Sequence, residues 1–250
     1  MARNFVSADS DLISCTDIGE LDGATNFSLG GWMKRDSSST ICSLSKRVDQ
    51  NNIIWISLYS DGNLSATVRN GATNIWTVAN NSALWQHIIM AYDGTEGTAD
   101  DRIKVYINGT FTTGSHAGTH PTSSDDNSAV YNFGTAGTGP ETDGDMAEQK
   151  VWSSTLTANE ILSDYYGTTP SRSTLVGYWP LGYGSTEPDY SGNNHDGTLG
   201  GSPNLSDHPP IPLQFGRDSA AHKTTTADAA NRRNYHMAQN LGSVNLQGGF

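Results

Sequence analysis

The sequence predicts an all-β protein: a two-sheet antiparallel sandwich with one short helix and an extended C-terminal arm. Three observations predict it. Short apolar runs with period-two alternation recur between clusters of Gly, Asn, Asp and Ser. Only one stretch has a helix start signal followed by a helical apolar stripe. Charged residues are 16% of the 250, while 27 glycines suit tight turns and six Trp with ten Tyr supply core mass. A chain of this length can bury a sizeable core as one large all-β body.

The elements follow in order. FSLGGWMK (27–34) sets Phe27, Leu29 and Gly31 on one face and Trp32 on the other. TICSLS (40–45), IIWISLYS (53–60) and LSATVR (64–69) come next, the last two joined by Asp61-Gly62-Asn63, a hairpin signal. NIWTV (74–78) follows Asn70-Gly71, and WQHIIMAYDG (85–94) is the strongest core strand. RIKVYINGTFTT (102–113) reads as two strands around Asn108-Gly109, which suits a type I′ turn because both residues tolerate positive φ. The polar, glycine-rich stretch 113–128 either recognises a partner or covers a sheet edge. AVYNFG (129–134) and DMAEQKVWS (145–153) complete the strands. In LTANEILSDYY (156–166), Thr157 caps, Glu160 answers three residues later, and Ile161, Leu162 and Tyr165 form the stripe.

Charge and composition exclude several functions. A net charge of −12 argues against nucleic acid, because phosphate binding needs a basic face. No apolar run approaches the roughly eighteen residues of a membrane span, and MARNFVSADS lacks the apolar stretch of a signal peptide. Cys15 and Cys42 are read as two buried free thiols, with a disulfide as the alternative. The prolines of DHPPIPLQFG (207–216) favour an extended path, and 217–250 show no sustained period. That tail has four basic and two acidic side chains, against ten and twenty-four in the rest. The expectation is a mildly basic arm on a sister or neighbouring subunit, anchored by Tyr235, Met237, Leu241 and Phe250; a disordered terminus is the alternative.

Four pieces in register resemble the laminin-G-like, concanavalin A-like jelly-roll superfamily. They are ATNFSLGGWMKRDS (24–37), LWQHIIMAYDG (84–94), IKVYINGT (103–110) and DMAEQKVWSSTLTANEI (145–161). The resemblance implies a jelly-roll sandwich over 1–216 and carries no catalytic chemistry. In many members a GYWPL…DSSGN stretch starts the domain. Here LVGYWPLGYGSTEPDYSGNNHDG (175–197) follows the helix, so the resemblance implies that 175–199 completes the same sandwich late. The YWPL…DHPP order after the helix is also similar to that of some tailed-phage structural proteins that carry this module.

Candidate sites are few. ETDGDMAE (141–148) resembles the acidic strand of glycosidases on this fold, and alternation would align Glu141, Asp143 and Asp145. However, Asp145 stands where a Glu is expected and Gly144 interrupts the strand. No catalytic residue is therefore assigned, and Glu148 is a structural position. The superfamily often binds calcium through loop carboxylates, which here offers Asp93, Glu96, Asp100 and Asp101, or Asp189 and Asp196. His116 and His120 have a zinc-like spacing, but in a loop; His87 reads as a packed, hydrogen-bonded core residue. Trp55, Trp76 and Tyr59 are the candidates for an aromatic sugar platform.

Three function classes remain, in this order. The first is a non-enzymatic homo-oligomer displayed on a virion surface, as capsid decoration or appendage subunit, gripping other virion or sister subunits through its arm. The second is a carbohydrate-binding, lectin-like adhesion module for cell-surface glycans, and the two can coexist. The third is a polysaccharide hydrolase. A virion-surface or extracellular location accompanies the first two.

Overall fold

Turn chemistry decides where the strands reverse. Asn108 and Gly109 have φ of 52° and 75°, the two positive angles of a type I′ turn, and Gly62 supplies φ 85° to the preceding hairpin. In the computed structural model the described residues are 1–36, 43–135 and 143–212, and one unit spans Met1–Pro212. Cys42, Glu141 and the arm residues Tyr235, Met237, Leu241 and Phe250 lie outside the described residues.

The first strands are β1 (Ala2–Phe5), β2 (Leu12–Cys15), β3 (Asn26–Arg35), β4 (Ser43–Asp49), β5 (Asn52–Leu58) and β6 (Asn63–Asn70). Next come β7 (Ile75–Ala79), β8 (Gln86–Asp93), β9 (Ile103–Ile107), β10 (Thr110–Thr112), β11 (Ser115–Ala117) and β12 (Tyr131–Phe133). After β13 (Gly144–Trp152) comes the helix α1 (Ala158–Tyr165). β14 (Leu175–Trp179), β15 (Thr186–Glu187), β16 (Gly197–Gly200) and β17 (Asn204–Ser206) close the list. Among the described residues no helix is long and apolar enough to cross a membrane.

Two antiparallel sheets form, as the alternation predicts. One has eight strands in the order β10-β9-β8-β3-β13-β1-β17, with β14 also paired to β13. The other has nine, in the order β11-β7-β6-β5-β4-β12-β2-β16-β15. The late segment enters both: β14 pairs with residues 149–152 of β13, and β16 pairs with β2. The stretch 113–128, read from sequence as a loop, contributes β11 to the edge beside β7.

Alternation fills the space between the sheets. Phe27, Leu29 and Met33 of β3 join Ile88 and Met90 of β8 on one side. Ile54, Ile56, Leu64, Ala66, Val68, Tyr131 and Phe133 face them from the other. Trp32 turns to the opposite face of its sheet, as read from its spacing. Opposite Gly30 and Gly31, β13 bulges between Ala147 and Lys150, and Glu148 takes φ 53°. A Cβ on Gly30 would stand 2.0 Å from the Ile88 carbonyl oxygen, so only glycine lets β3 and β8 close there.

The outer face of the eight-stranded sheet is covered by α1. Its start is held by a capping box: Glu160 N–H donates to Thr157 Oγ1 (3.3 Å) and Thr157 N–H to Glu160 Oε2 (2.8 Å). Ile161 then packs with Ile89, Tyr106 and Trp152, while Tyr165 stacks near Trp32 at 5.6 Å. Under the helix, Asp164 accepts from Lys150 Nζ (3.0 Å) and contacts His87 Nε2 (3.0 Å), all three being buried. His87 thus has the packed, hydrogen-bonded place read from its strand.

Candidate functional site

The outer face of the nine-stranded sheet is built differently. In β5 the core takes Ile54, Ile56 and Leu58, so the alternate residues Ile53, Trp55 and Ser57 point away from it. Register places Thr67 beside Trp55, Arg69 and Arg47 on either side of Ile53, and Ser65 and Ser45 nearby on the same face. The result is a floor of small hydroxyl side chains with one indole standing on it. Trp55 is half-buried, its ring 6.3 Å from that of Tyr59 in an edge arrangement, and the Arg69 guanidinium lies 5.6 Å from its centre. Trp55 Nε1 and Ser65 Oγ are buried without a hydrogen-bond partner among the described residues.

Arg69 links this platform to a pocket of about 240 Å³ at the sheet edge, lined by Arg69, Thr73, Asn74, Ile75, Ala117 and Gly118. Arg69 Nε donates to the Asn74 carbonyl (2.9 Å) and Nη1 to that of Gln50 (2.6 Å). Burial, with Arg47 nearby, pushes the Arg69 pKa below its ordinary value. Gly118 has φ 75°, and a Cβ there would stand 2.4 Å from the Thr73 carbonyl oxygen, closing the pocket wall.

Of the two histidines read from sequence as lying in a loop, His116 is in β11 and His120 follows it, fully buried. His116 Nδ1 contacts His120 Nε2 at 3.0 Å, and His120 Nδ1 contacts Asn74 Oδ1 at 2.9 Å. With Oδ1 facing it, His120 donates from Nδ1, so its Nε2 accepts from His116. Burial, then the neighbouring His116, pushes the His120 pKa down to about 4. The zinc-like spacing therefore resolves into a hydrogen-bond relay that orients the Asn74 amide. This set of residues was missed from sequence, although RNGATN (69–74) and GSHAGTH (114–120) both carry the Gly-rich turns that bring it together.

The other candidates are placed elsewhere. Trp76 is a correction: it faces inward and is 2% exposed in the core, so it offers no platform. Of the carboxylates offered to calcium, Asp196 accepts from Asp189 N–H (2.8 Å), and among the described residues no group of three or more His, Cys, Asp or Glu is arranged to hold a metal. Asp93 Oδ1 accepts from Thr95 N, Thr95 Oγ1 and Asn26 Nδ2, which folds its own turn. Asp100 and Asp101 lie in the short 3₁₀ turn Ala99–Arg102. Asp189 accepts from the backbone N–H of Tyr178, Ser191 and His195 and from Ser191 Oγ, so it organises the late loop. Asp143 accepts from Ser7 N and Oγ, and Asp145 from Asn4 Nδ2 and Lys34 Nζ (2.8 Å). These two carboxylates tie β13 to its neighbours.

A laminin G profile described as the Concanavalin A-like lectin/glucanases superfamily matches residues 7–162. The chain belongs to that superfamily. No curated protein matches its sequence. Among solved members of similar fold, a candidate carbohydrate binding protein from Bacteroides ovatus aligns with a TM-score of 0.56 at 17% identity, covering 83% of this chain. This chain spans 60% of that protein's length, and at such identity the likeness establishes the fold alone. Tailspike protein 2 of bacteriophage CBA120 aligns at 0.49 and 13% identity over 70% of this chain and 29% of its own. A SAP-like pentraxin from Limulus polyphemus aligns at 0.43 and 16% over 64% and 75%. These last two scores carry no functional weight.

Proposed function

We propose that the chain is a non-enzymatic carbohydrate-binding module whose platform is Trp55 on the outer face of the nine-stranded sheet. The observation that carries this reading is the half-buried indole, standing on a floor of buried hydroxyl side chains beside the Arg69 guanidinium, on the side of the sandwich away from α1. An apolar ring stacks on the C–H face of a sugar while a neighbouring guanidinium meets its hydroxyls. Support for a binding rather than hydrolytic role comes from Asp143 and Asp145, both held in structural hydrogen bonds. The fold shared with the Bacteroides ovatus protein supports the same class. The lectin-like reading thereby moves ahead of the virion-subunit reading, whose proposed arm, 217–250, lies outside the described residues.

A glycan array probed with the purified chain tests the proposal. At least one saccharide class should bind, and Trp55→Ala should weaken it by about 2 kcal/mol, roughly thirtyfold, with the fold retained. An array with no binder would refute the reading.

A further inference from the structure

The pocket beside the platform has its own chemistry. We propose that it selects an acidic saccharide, taking a sugar carboxylate between Arg69 and Asn74; this rests on the glycan-binding reading and deepens it.

The groups that meet in the pocket are donors. Asn74 is 3% exposed, and its Nδ2 is buried without a hydrogen-bond partner among the described residues while the residue lines the pocket. A native fold rarely leaves an amide N–H₂ group buried and unpaired, and a ligand oxygen removes that cost. His120, fully buried, contacts Asn74 Oδ1 at 2.9 Å and is itself contacted by His116 at 3.0 Å, which anchors the far side of the amide. Arg69 supplies the second arm. Its Nε and Nη1 are engaged by the carbonyls of Asn74 and Gln50, which fixes the plane of the guanidinium at the pocket rim. A cation and a neutral donor held rigidly a short reach apart match the two oxygens of a carboxylate better than a neutral hydroxyl.

Charge and size agree. The molecule has a net charge of −12, yet Arg47 and Arg69 stand on either side of Ile53 on this one face. A guanidinium at the pocket rim of an acidic body attracts an anion only at short range, where the pocket can recognise it. A volume of about 240 Å³ suits one sugar ring, and the absent side chain of Gly118 keeps the wall open. A chain of sugars would then place its acidic unit in the pocket and a neighbouring ring on Trp55, with Arg69 between them.

The test measures binding of the full chain to oligogalacturonate and sialyllactose, beside methyl-esterified oligogalacturonate and lactose. The acidic probes should bind, and esterification or removal of the carboxylate should weaken binding about 10- to 100-fold. Arg69→Gln and the isosteric Asn74→Asp should each cause a similar loss for acidic probes only. Asn74→Asp keeps an acceptor for His120 while replacing the N–H₂ donor with charge. Thermal melts report whether either variant perturbs the fold, and one folded variant suffices. Equal binding of acidic and neutral probes, unchanged by Arg69→Gln, would overturn the acidic selectivity while leaving the glycan reading intact. Absence of binding to any saccharide would remove the glycan reading itself, and this inference with it.

Discussion

Buried titratable side chains set the chemistry of individual positions in this sandwich. His87 is pushed below its ordinary value of 6.5 by burial, against the opposing pull of Asp164, and His120 is pushed down to about 4. Burial pushes Asp164 up, but Lys150 and His87 outweigh it and hold the carboxyl below its ordinary value. All three act in one direction. A histidine whose pKa falls on folding binds fewer protons in the native state than in the unfolded chain. Its contribution is complete above pH 6.5 and is lost as pH falls, down to about 4 for His120. A lowered carboxyl likewise stabilises above its unfolded value and loses that contribution on acidification. Urea unfolding should therefore show a lower midpoint at pH 4.5 than at pH 7, with the difference reduced in His120→Gln. A higher midpoint at pH 4.5 would contradict these assignments.

At the scale of elements, local signals decided what sequence could show. The Asn108-Gly109 turn and the Thr157–Glu160 box are contained within a few residues, so both are readable before any tertiary contact exists. Thr157→Ala should cost about 1 kcal/mol in chemical denaturation, since an N–H of the first turn loses its acceptor. An unchanged midpoint would show that packing of Ile161 and Tyr165 alone holds α1. The short strands β1, β2 and β15 to β17 were not legible. They run two to four residues each and have no period of their own. Most of their hydrogen bonds come from partners far along the chain: β1 on β13, β2 on β12, β16 on β2 and β17 on β1. Outward Trp55 and inward Trp76 were not distinguished from sequence, because strand spacing does not say which face meets the second sheet.

For the whole molecule, closure depends on pairing the first strand with the late segment. Arg3 and Glu187, 5% and 0% exposed, form an ion pair between them. Arg3 also donates to the carbonyls of Pro203 (2.8 Å) and Gly184 (2.6 Å), while Glu187 accepts from the N–H groups of Gly182 and Tyr183. Glu187→Leu would leave Arg3 buried without its counter-charge, and should destabilise the fold by about 3–5 kcal/mol. Calorimetry of the variant measures this; a loss below about 1 kcal/mol would mean that the late segment is held by its strand pairing alone.

The sequence by itself determined the sheet periods, the tight turns, the capped helix and the superfamily, because each is encoded in spacings of a few residues or in short motifs in register. Tertiary structure alone decided the pocket, where His120 meets Asn74 across 46 residues. A hydrogen bond needs its two groups within about 3 Å, and residues that far apart in the chain reach that distance only after the sheets have formed and brought their edges together.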